Sequence, residues 1–310
     1  MQPFRDHSIP LRDGRQIAVA EFGDPAGRTV FWFHGTPGGR WQLPPEAPGL
    51  ARQLGLRLIG VDRPGTGGSS HDSRRTLLSW ADDIAQCADA IGAPRFAAVG
   101  LSGGGPYVLA CAHQLAQRMV VGVSLGGLGP TAGTDRAPGL PALVTGLGRA
   151  VGTARRPLGS ALSALSRPLS PLLPSFYDLY ARLSWRVDRG VLRRPDMRSI
   201  FTADLAVATG NGLRGMVHDL SLFTRPWPFS PREVQVPIRL WHGGADPIVP
   251  VAHAHYLAEI LPNSELFILA GQGHYAGFVQ TSDVLSDLAE VWSRREGSVA
   301  SAHETASEGE

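Results

Sequence analysis

The chain has 310 residues and a mass of 33.0 kDa, a size that suits one large domain or two modest ones. Hydrophobic residues make up 43% and charged residues 18%, so the chain can bury a sizeable core and general disorder is excluded. All 29 basic residues are arginines and the net charge is only +2. No basic stripe with interleaved aromatic residues indicates a nucleic-acid partner.

Two further classes are excluded by composition. Cys87 and Cys111 are too few for a disulfide framework or a cysteine-built metal site, so we expect them to be buried as small apolar residues. No apolar run approaches the ~20 residues that span a bilayer, and the start shows no secretion signal. We therefore expect a cytoplasmic protein with no integral membrane segment; the number of subunits stays open.

The first 128 residues alternate short β-rich runs with glycine-rich loops and helical stretches. Helical spacing is found over Leu77–Ile91 and Gly103–Ala116. Strands are predicted at Gln16–Phe22, Thr29–Phe33, Leu56–Val61, Phe96–Val99 and Met119–Ser124. This rhythm predicts the α/β class, with a mostly parallel central sheet flanked by helices on both faces.

The rhythm breaks after Leu128 and resumes after Pro237. Residues 131–230 carry leucine-, alanine- and arginine-rich segments such as Ala137–Val151 and Leu158–Leu173, with thirteen arginines and six aspartates, a net charge of +7. Beyond them we predict strands at Ile238–Trp241 and Glu265–Leu269 and helices at Val251–Leu261 and Ser282–Arg295.

These boundaries divide the chain into four parts. Residues 1–128 are the first part of an α/β core, residues 129–230 a helical cap insertion, and residues 231–295 the second part of the core. Residues 296–310 are small, polar and acidic, so a disordered tail is predicted there.

The segment from Gly100 to Gly104 fits the pattern G-x-S-x-G between a predicted strand and a predicted helix. Such a sharp turn holds its serine, here Ser102, in a strained backbone conformation with the hydroxyl exposed. Small residues on both sides let strand and helix approach closely. The helix N-terminus directs backbone N–H groups at the same point, which favours an oxyanion. The segment therefore predicts a nucleophile elbow.

With this elbow, four loops make the chain similar to the α/β-hydrolase fold family over about Phe22 to Trp292. They read H-G-T-P-G from His34, D-R-P-G-x-G-x-S from Asp62, H-G-x-x-D-x-x-V-P from His242 and G-x-G-H from Gly271. The resemblance is to a serine-nucleophile, cap-bearing, esterase-like member. It implies a catalytic triad of Ser102, Asp246 and His274, in that chain order. It also implies an oxyanion hole made by the backbone N–H groups of Thr36 and Gly103.

The residues themselves support His274 as the base. A serine hydroxyl needs a neighbouring base, and a histidine with an ordinary pKa of ~6.5 serves near neutral pH. His274 follows a buried-type strand in a glycine-flanked loop. His34 and His242 precede glycines in loops whose family role is structural. His253 and His255 lie on a predicted helix, facing solvent or a neighbour.

Asp246 is predicted to orient the imidazole of the base and to stabilise the imidazolium that forms. Asp135 is the rival, because the loop that carries the acid varies within this fold. Its position in a connection to the insertion makes it the weaker candidate. Asp62 is expected to brace its own turn.

These residues predict a serine hydrolase that cleaves a carboxylic ester of a small or medium hydrophobic substrate through an acyl-enzyme. Amide or peptide hydrolysis of the proline iminopeptidase type, lactone hydrolysis and C–C bond hydrolysis stay open. Haloalkane dehalogenases and epoxide hydrolases place aspartate where this chain has Ser102. A catalytically silent member that binds a hydrophobic ligand is the non-enzyme alternative. No cofactor and no metal are implied, because activation of the nucleophile is internal.

The insertion is expected to enclose the substrate in a mainly apolar pocket. Its excess charge suits an anionic substrate, a membrane surface or, more simply, a solvated arginine face. Candidate lining residues are Phe176, Tyr177, Trp185, Phe201, Met216, Phe223 and Trp227.

Overall fold

The computed structural model describes residues 2–140, 146 and 150–307. Within these residues eight strands form one sheet in the order β1-β2-β4-β3-β5-β6-β7-β8. β1 and β2 pair antiparallel, as do β2 and β4, and all other neighbours are parallel. The strands are β1 Arg5–Pro10, β2 Gln16–Gly23, β3 Arg28–Phe33, β4 Leu56–Val61, β5 Phe96–Leu101, β6 Met119–Leu125, β7 Ile238–Gly243 and β8 Ser264–Leu269.

Helices connect the strands and cover the sheet, which confirms the predicted fold class. Three belong to the first part of the core: α1 Ala47–Gln53, α2 Leu77–Ala90 and α3 Gly105–Gln114. Between β6 and β7 lie the helices of the cap: α4 Arg155–Leu169, α5 Leu173–Leu183, α6 Arg186–Leu192, α7 Pro195–Thr209 and α8 Arg214–Phe223. After β7 come α9 Ala252–Ile260, α10 Ala276–Val279 and α11 Thr281–Ser307.

The sheet is buried on both faces, as its short continuous apolar strands predict. Along β3, Phe31 and Phe33 join a core cluster with α2, α3 and α9, whereas Val30 and Trp32 join a second cluster with α1 and α11. This alternation follows from the two-residue period of a strand. Burying each such side chain contributes about 1.5–3 kcal/mol.

The first strand and the first helix, β1 and α1, were not predicted from the sequence. β1 is polar and largely exposed, because it pairs only with β2 at one edge of the sheet. α1 is short and has a proline within its first turn, which masks its helical pattern. Cys87 and Cys111 are buried and free, as predicted, and burial raises the pKa of the Cys87 thiol to about 12.

Two other sequence predictions concern the start of the cap and the C-terminal tail. The predicted segment Ala137–Val151 lies largely outside the described residues. α11 runs to Ser307, through most of the stretch whose composition predicts disorder. Once nucleated, a helix gains one hydrogen bond for each added residue, and that stretch contains alanine and glutamate, which favour helix. No helix within the described residues is long and apolar enough to cross a membrane.

Two of the buried histidines, His253 and His218, have pKa values well below the ordinary one. His253 on α9 accepts a hydrogen bond at Nδ1 from the Gly129 N–H over 3.0 Å, so it contacts a neighbouring loop. Burial and the nearby His242 lower the pKa of His253 to about 4. Burial and the guanidinium of Arg75 likewise lower the pKa of His218, on α8, to about 4. Both histidines are therefore neutral in the folded protein at neutral pH.

Acid should weaken the fold through these two histidines. Between about pH 4 and 6.5 both bind protons in the unfolded chain, where their pKa values are ordinary, but not in the folded chain. The free energy of unfolding should fall as the pH drops through this window, by up to about 3 kcal/mol for each histidine. Urea unfolding at about pH 7 and about pH 5 measures this loss.

A glutamine variant isolates one histidine. His253→Gln keeps an acceptor for the Gly129 N–H but cannot be protonated, so it should lose less stability between the two pH values than the wild type. His255→Gln, at an exposed position of the same helix, is the matched control and should behave like the wild type. An unchanged pH dependence in His253→Gln would contradict the assignment.

Candidate active site

Ser102 lies between β5 and α3, at the first residue of a short 3₁₀ turn that runs to Gly104. Its φ of 52° makes it the one non-glycine residue with a positive φ in the described part of the chain. L-residues other than glycine adopt this conformation only under strain. A Cβ on Gly100 would lie 2.5 Å from the Gly104 carbonyl oxygen, so the strand and the turn meet there only because residue 100 is a glycine. The backbone thus has the geometry that the elbow pattern predicts.

His274 and Asp246 lie in the loops that follow β8 and β7. His274 Nδ1 is 2.7 Å from Asp246 Oδ2. The other carboxylate oxygen, Oδ1, accepts the backbone N–H groups of Ile248 at 2.8 Å and Val249 at 2.9 Å. These contacts fix both the carboxylate and the imidazole ring that it faces.

The electrostatics of Asp246 favour its ionised form. Burial alone would raise its pKa, but hydrogen bonds from His242 and His274 outweigh burial and hold the pKa well below its ordinary value. His242 Nε2 lies 2.8 Å from the Val249 carbonyl oxygen and 3.3 Å from Asp246 Oδ2, so it also supports this loop. Asp246 is therefore a carboxylate at neutral pH, as an imidazole-orienting acid must be.

The predicted rival acid occupies a different environment. Asp135 Oδ2 accepts the hydroxyl of Ser230 at 2.7 Å, and its Oδ1 lies 3.5 Å from Arg232 Nε. Asp62 accepts the backbone N–H groups of Arg40 and Gly68, and so braces its own turn as expected.

One cavity of about 360 Å³ brings Ser102, His274 and Thr36 to a common wall. Its volume falls in the usual range for small-molecule sites. The opposite wall is mainly apolar and comes from α5 and α7 of the cap. The remaining lining residues are Gly35, Pro37, Gln42, Leu101, Leu173, Phe176, Tyr177, Tyr180, Phe201, Leu205, Ile248 and Tyr275.

Three of the seven predicted lining residues contact this cavity, namely Phe176, Tyr177 and Phe201. The other four lie elsewhere: Trp185 is 55% exposed, Met216 lines a separate cavity, Phe223 lies against Gly103, and Trp227 packs on Phe229. Tyr180 and Tyr275, whose hydroxyl oxygens are 2.9 Å apart, also line the cavity and were not predicted. The position of Tyr275 directly after His274 was the available signal.

The loop that carries Thr36 is held by a buried arginine, Arg63. Its guanidinium donates to the carbonyl oxygens of His34 at 2.5 Å and Gly35 at 2.9 Å, and to Thr36 Oγ1 at 2.8 Å. Arg63 also donates through Nε to Asp219 Oδ2 at 2.9 Å. Both side chains of this pair are fully buried.

Asp219 belongs to α8, so this ion pair joins the cap to the loop of Thr36. Its second oxygen, Oδ1, accepts from Arg75 Nη2 at 2.5 Å and from the Tyr107 hydroxyl at 2.7 Å. Burial would raise the pKa of Asp219, but Arg63 and Arg75 outweigh burial and hold it well below its ordinary value. Removing one partner of such a buried pair typically costs about 3–5 kcal/mol. Arg63 belongs to the D-R-P-G-x-G-x-S motif, but its partner Asp219 was not predicted from the sequence.

Thr36 and Gly103 lie side by side. A Cβ on Gly103 would be 2.7 Å from Thr36 Oγ1 and 2.9 Å from the ring of Phe223, so only glycine fits between the loop and the cap. In the described part of the chain the backbone N–H of Thr36 donates to no backbone acceptor. The side chain of Thr36 thus lies beside Gly103, the residue that follows Ser102.

A mostly parallel sheet with Ser102, Asp246 and His274 after β5, β7 and β8, and with a helical cap between β6 and β7, defines the class of α/β-hydrolase folds. The family model described as alpha/beta hydrolase fold matches residues 28–281. The chain belongs to the α/β-hydrolase fold family.

Solved structures with the same fold include proteins with different activities. An alpha/beta hydrolase fold protein from Nakamurella multipartita is 24% identical with a TM-score of 0.65, covering 93% of this chain and 99% of its own. An esterase from Exiguobacterium antarcticum is 18% identical (TM-score 0.69, 94% and 100% covered). A bromoperoxidase from Bacillus anthracis is 19% identical (TM-score 0.69, 93% and 99% covered). No curated protein sequence matches this chain significantly. These likenesses define the fold and leave the substrate to the site.

Proposed function

We propose that the protein is a serine hydrolase that cleaves a carboxylic ester of a small or medium hydrophobic substrate. The 2.7 Å contact between His274 Nδ1 and Asp246 Oδ2, beside the cavity that Ser102 and His274 share, carries this proposal. An ionised acid that accepts the proton on Nδ1 leaves Nε2 as a free base, which a serine nucleophile requires.

Each residue has one role in the proposed reaction. The Ser102 Oγ attacks the ester carbonyl carbon, and its proton passes to His274 Nε2. The carbonyl oxygen becomes an oxyanion that accepts the backbone N–H groups of Thr36 and Gly103. The imidazolium of His274 then protonates the leaving alcohol, and an acyl-enzyme remains on Ser102. Water activated by the same imidazole attacks that acyl group, which releases the acid and restores the serine.

The substrate class follows from the wall opposite the serine. Leu173, Phe176, Phe201 and Leu205 present apolar side chains, and the lining residues include no carboxylate and no arginine. Such a wall binds the alkyl or aryl part of a substrate, and it offers no partner to a charged group on the substrate. A neutral hydrophobic ester fits the cavity better than an anionic one.

The acyl chain length should set the specificity constant. Each methylene that reaches the apolar wall should add up to about 0.8 kcal/mol, close to fourfold in kcat/KM, until the cavity is full. We expect kcat/KM for p-nitrophenyl esters from acetate to octanoate to rise and then fall. An amide and a lactone in the same series measure the other bond types.

A cavity-filling variant tests the wall itself. Leu205→Trp should move the optimum to a shorter acyl chain, because the indole occupies space that the chain would fill. Leu183→Trp is the matched control on the same cap, since Leu183 is 76% exposed and outside the cavity. Level specificity constants across the series would contradict the pocket, and turnover of the amide or lactone alone would contradict the ester.

A further inference from the structure

A second concave region lies on the cap, away from the candidate active site. Two neighbouring cavities of about 240 and 290 Å³ share Ser73, Arg155, Arg156 and His218, and we call them together the basic groove. None of the residues that line the basic groove also lines the cavity of Ser102. α4 and α8 pack antiparallel beside it, with Leu213 N–H donating to Ser163 Oγ at 2.9 Å.

Arginines supply most of the charge of the basic groove, and no carboxylate lines it. The lining arginines are Arg74, Arg75, Arg155, Arg156, Arg214 and Arg225. In the described part of the chain, Arg155, Arg156, Arg214 and Arg225 form no ion pair with a carboxylate. Arg155 reaches only the Gly152 carbonyl oxygen at 3.4 Å, and Arg214 reaches Ser160 Oγ at 3.3 Å. In the described part of the chain, two cap arginines outside the groove do form ion pairs, Arg194 with Asp196 and Arg198 with Asp178.

Arg75 is the buried member of this set, with only 2% of its surface exposed. Its Nη2 donates to Asp219 and to the Gly215 carbonyl oxygen. Its Nε and Nη1 find no acceptor among the described residues. Buried donors of a charged group without a partner cost free energy, and Arg75 is also one of the residues that line the groove.

The two histidines of the groove respond to the same charges. Burial and then Arg75 lower the pKa of His218, and Arg155 acts in the same direction. Burial followed by Arg75 and Arg214 lowers the pKa of His71, against which only Asp72 acts. Asp72 is close in sequence but accepts the backbone N–H of Arg74. Asp219, the ion-pair partner of Arg75, acts in the opposite direction on His218, so it is the other arginines of the groove that have no carboxylate partner among the described residues.

We infer that the basic groove is a binding site for a phosphate-class anion, such as a phosphate monoester or a pyrophosphate group. Arginine suits this chemistry because its planar fork donates two parallel hydrogen bonds to phosphate oxygens. The volume holds several groups of water size, about 30 Å³ each, so the groove has room for a ligand larger than one phosphoryl group. The ligand is a free small molecule, because Arg75 and His218 are buried and a flat bilayer surface does not reach them.

Binding of pyrophosphate to the full chain tests the inference independently of hydrolysis. At about a hundred times the dissociation constant, the melting temperature should rise by roughly 5 °C. Sodium chloride at the same ionic strength should not reproduce this rise, because the chloride ion offers no fork of oxygens. Isothermal titration calorimetry should show saturable binding that follows the same concentration range.

Two variants remove arginines of the groove that are exposed or half-buried, without changing the buried Arg75 and His218. Arg155→Gln/Arg156→Gln should weaken pyrophosphate binding about a hundredfold, and Arg214→Ala about tenfold. Arg182→Ala/Arg186→Ala is the matched control, since it removes two exposed cap arginines outside the groove and should bind as the wild type does.

Three results would overturn the inference. They are an absence of saturable pyrophosphate binding, equal binding by the groove variants and the wild type, and a response only to phosphatidylglycerol vesicles. The last would place the groove at a membrane surface instead. Phosphatidylcholine vesicles are the neutral control for that arm.

Discussion

Ser102→Ala should abolish ester hydrolysis and labelling by a serine-reactive phosphonate while leaving the fold intact. A serine nucleophile removed from another serine hydrolase lowers kcat by about 10⁶-fold, because no other group forms the acyl-enzyme. The substitution removes one oxygen and keeps the Cβ, so the strained turn and its packing are retained. Mass spectrometry should show one phosphonate adduct on the wild type and none on the variant.

The control is Ser175→Ala, at an exposed serine of α5, the cap helix that lines the cavity. It should keep full turnover and one adduct. His274→Ala should lose as much activity as Ser102→Ala, and the double variant should lose no more, because the two residues act as one unit. Retained hydrolysis by purified Ser102→Ala with an unchanged melting temperature would refute the nucleophile.

The strand pattern and the candidate triad were predictable because their signals are local. Ser102, Asp246 and His274 each follow a short apolar run, and the carboxyl ends of parallel strands meet at one edge of a sheet. The elbow is also indicated by glycines, which the close approach of strand and helix requires. Such signals lie within five to ten residues of the side chain that they concern.

The side chains that hold the loop of Thr36 in place are far apart in the sequence, and no local pattern predicts their pairing. Arg63 and Asp219 are 156 residues apart, and their pairing depends on where α8 lies against the loop of Thr36. The aspartate resembles the five others of the cap in composition. Four of the seven aromatic and methionine residues predicted to line the cavity were wrong for the same reason, since the packing of the cap decides that Phe223 lies against Gly103 and that Trp185 is exposed.

Asp246→Asn should lower kcat by about 10⁴-fold, whereas Asp135→Asn should leave it nearly unchanged. The Oδ1 of Asp246 accepts two backbone N–H groups, from Ile248 and Val249. An asparagine must keep its single oxygen at that position, so its NH₂ group faces His274 Nδ1. The imidazole then has to accept at Nδ1 and carry its proton on Nε2, and it no longer takes the proton of Ser102. A comparable change in a serine protease costs about 10⁴-fold for this reason.

The two variants differ in what else they alter, which makes the comparison sharp. Asp246→Asn retains the acceptor for the loop N–H groups, so the melting temperature and KM should change little while kcat falls. Asp135→Asn keeps an oxygen for the Ser230 hydroxyl and loses only a partly exposed contact with Arg232. Surface ion pairs of that kind contribute about 0–1 kcal/mol, and this one does not reach the imidazole. Steady-state kinetics on the preferred p-nitrophenyl ester decides between them. If Asp135→Asn is the severe variant, the orienting acid comes from the loop after β6, and the close contact between Asp246 and His274 has only a structural role.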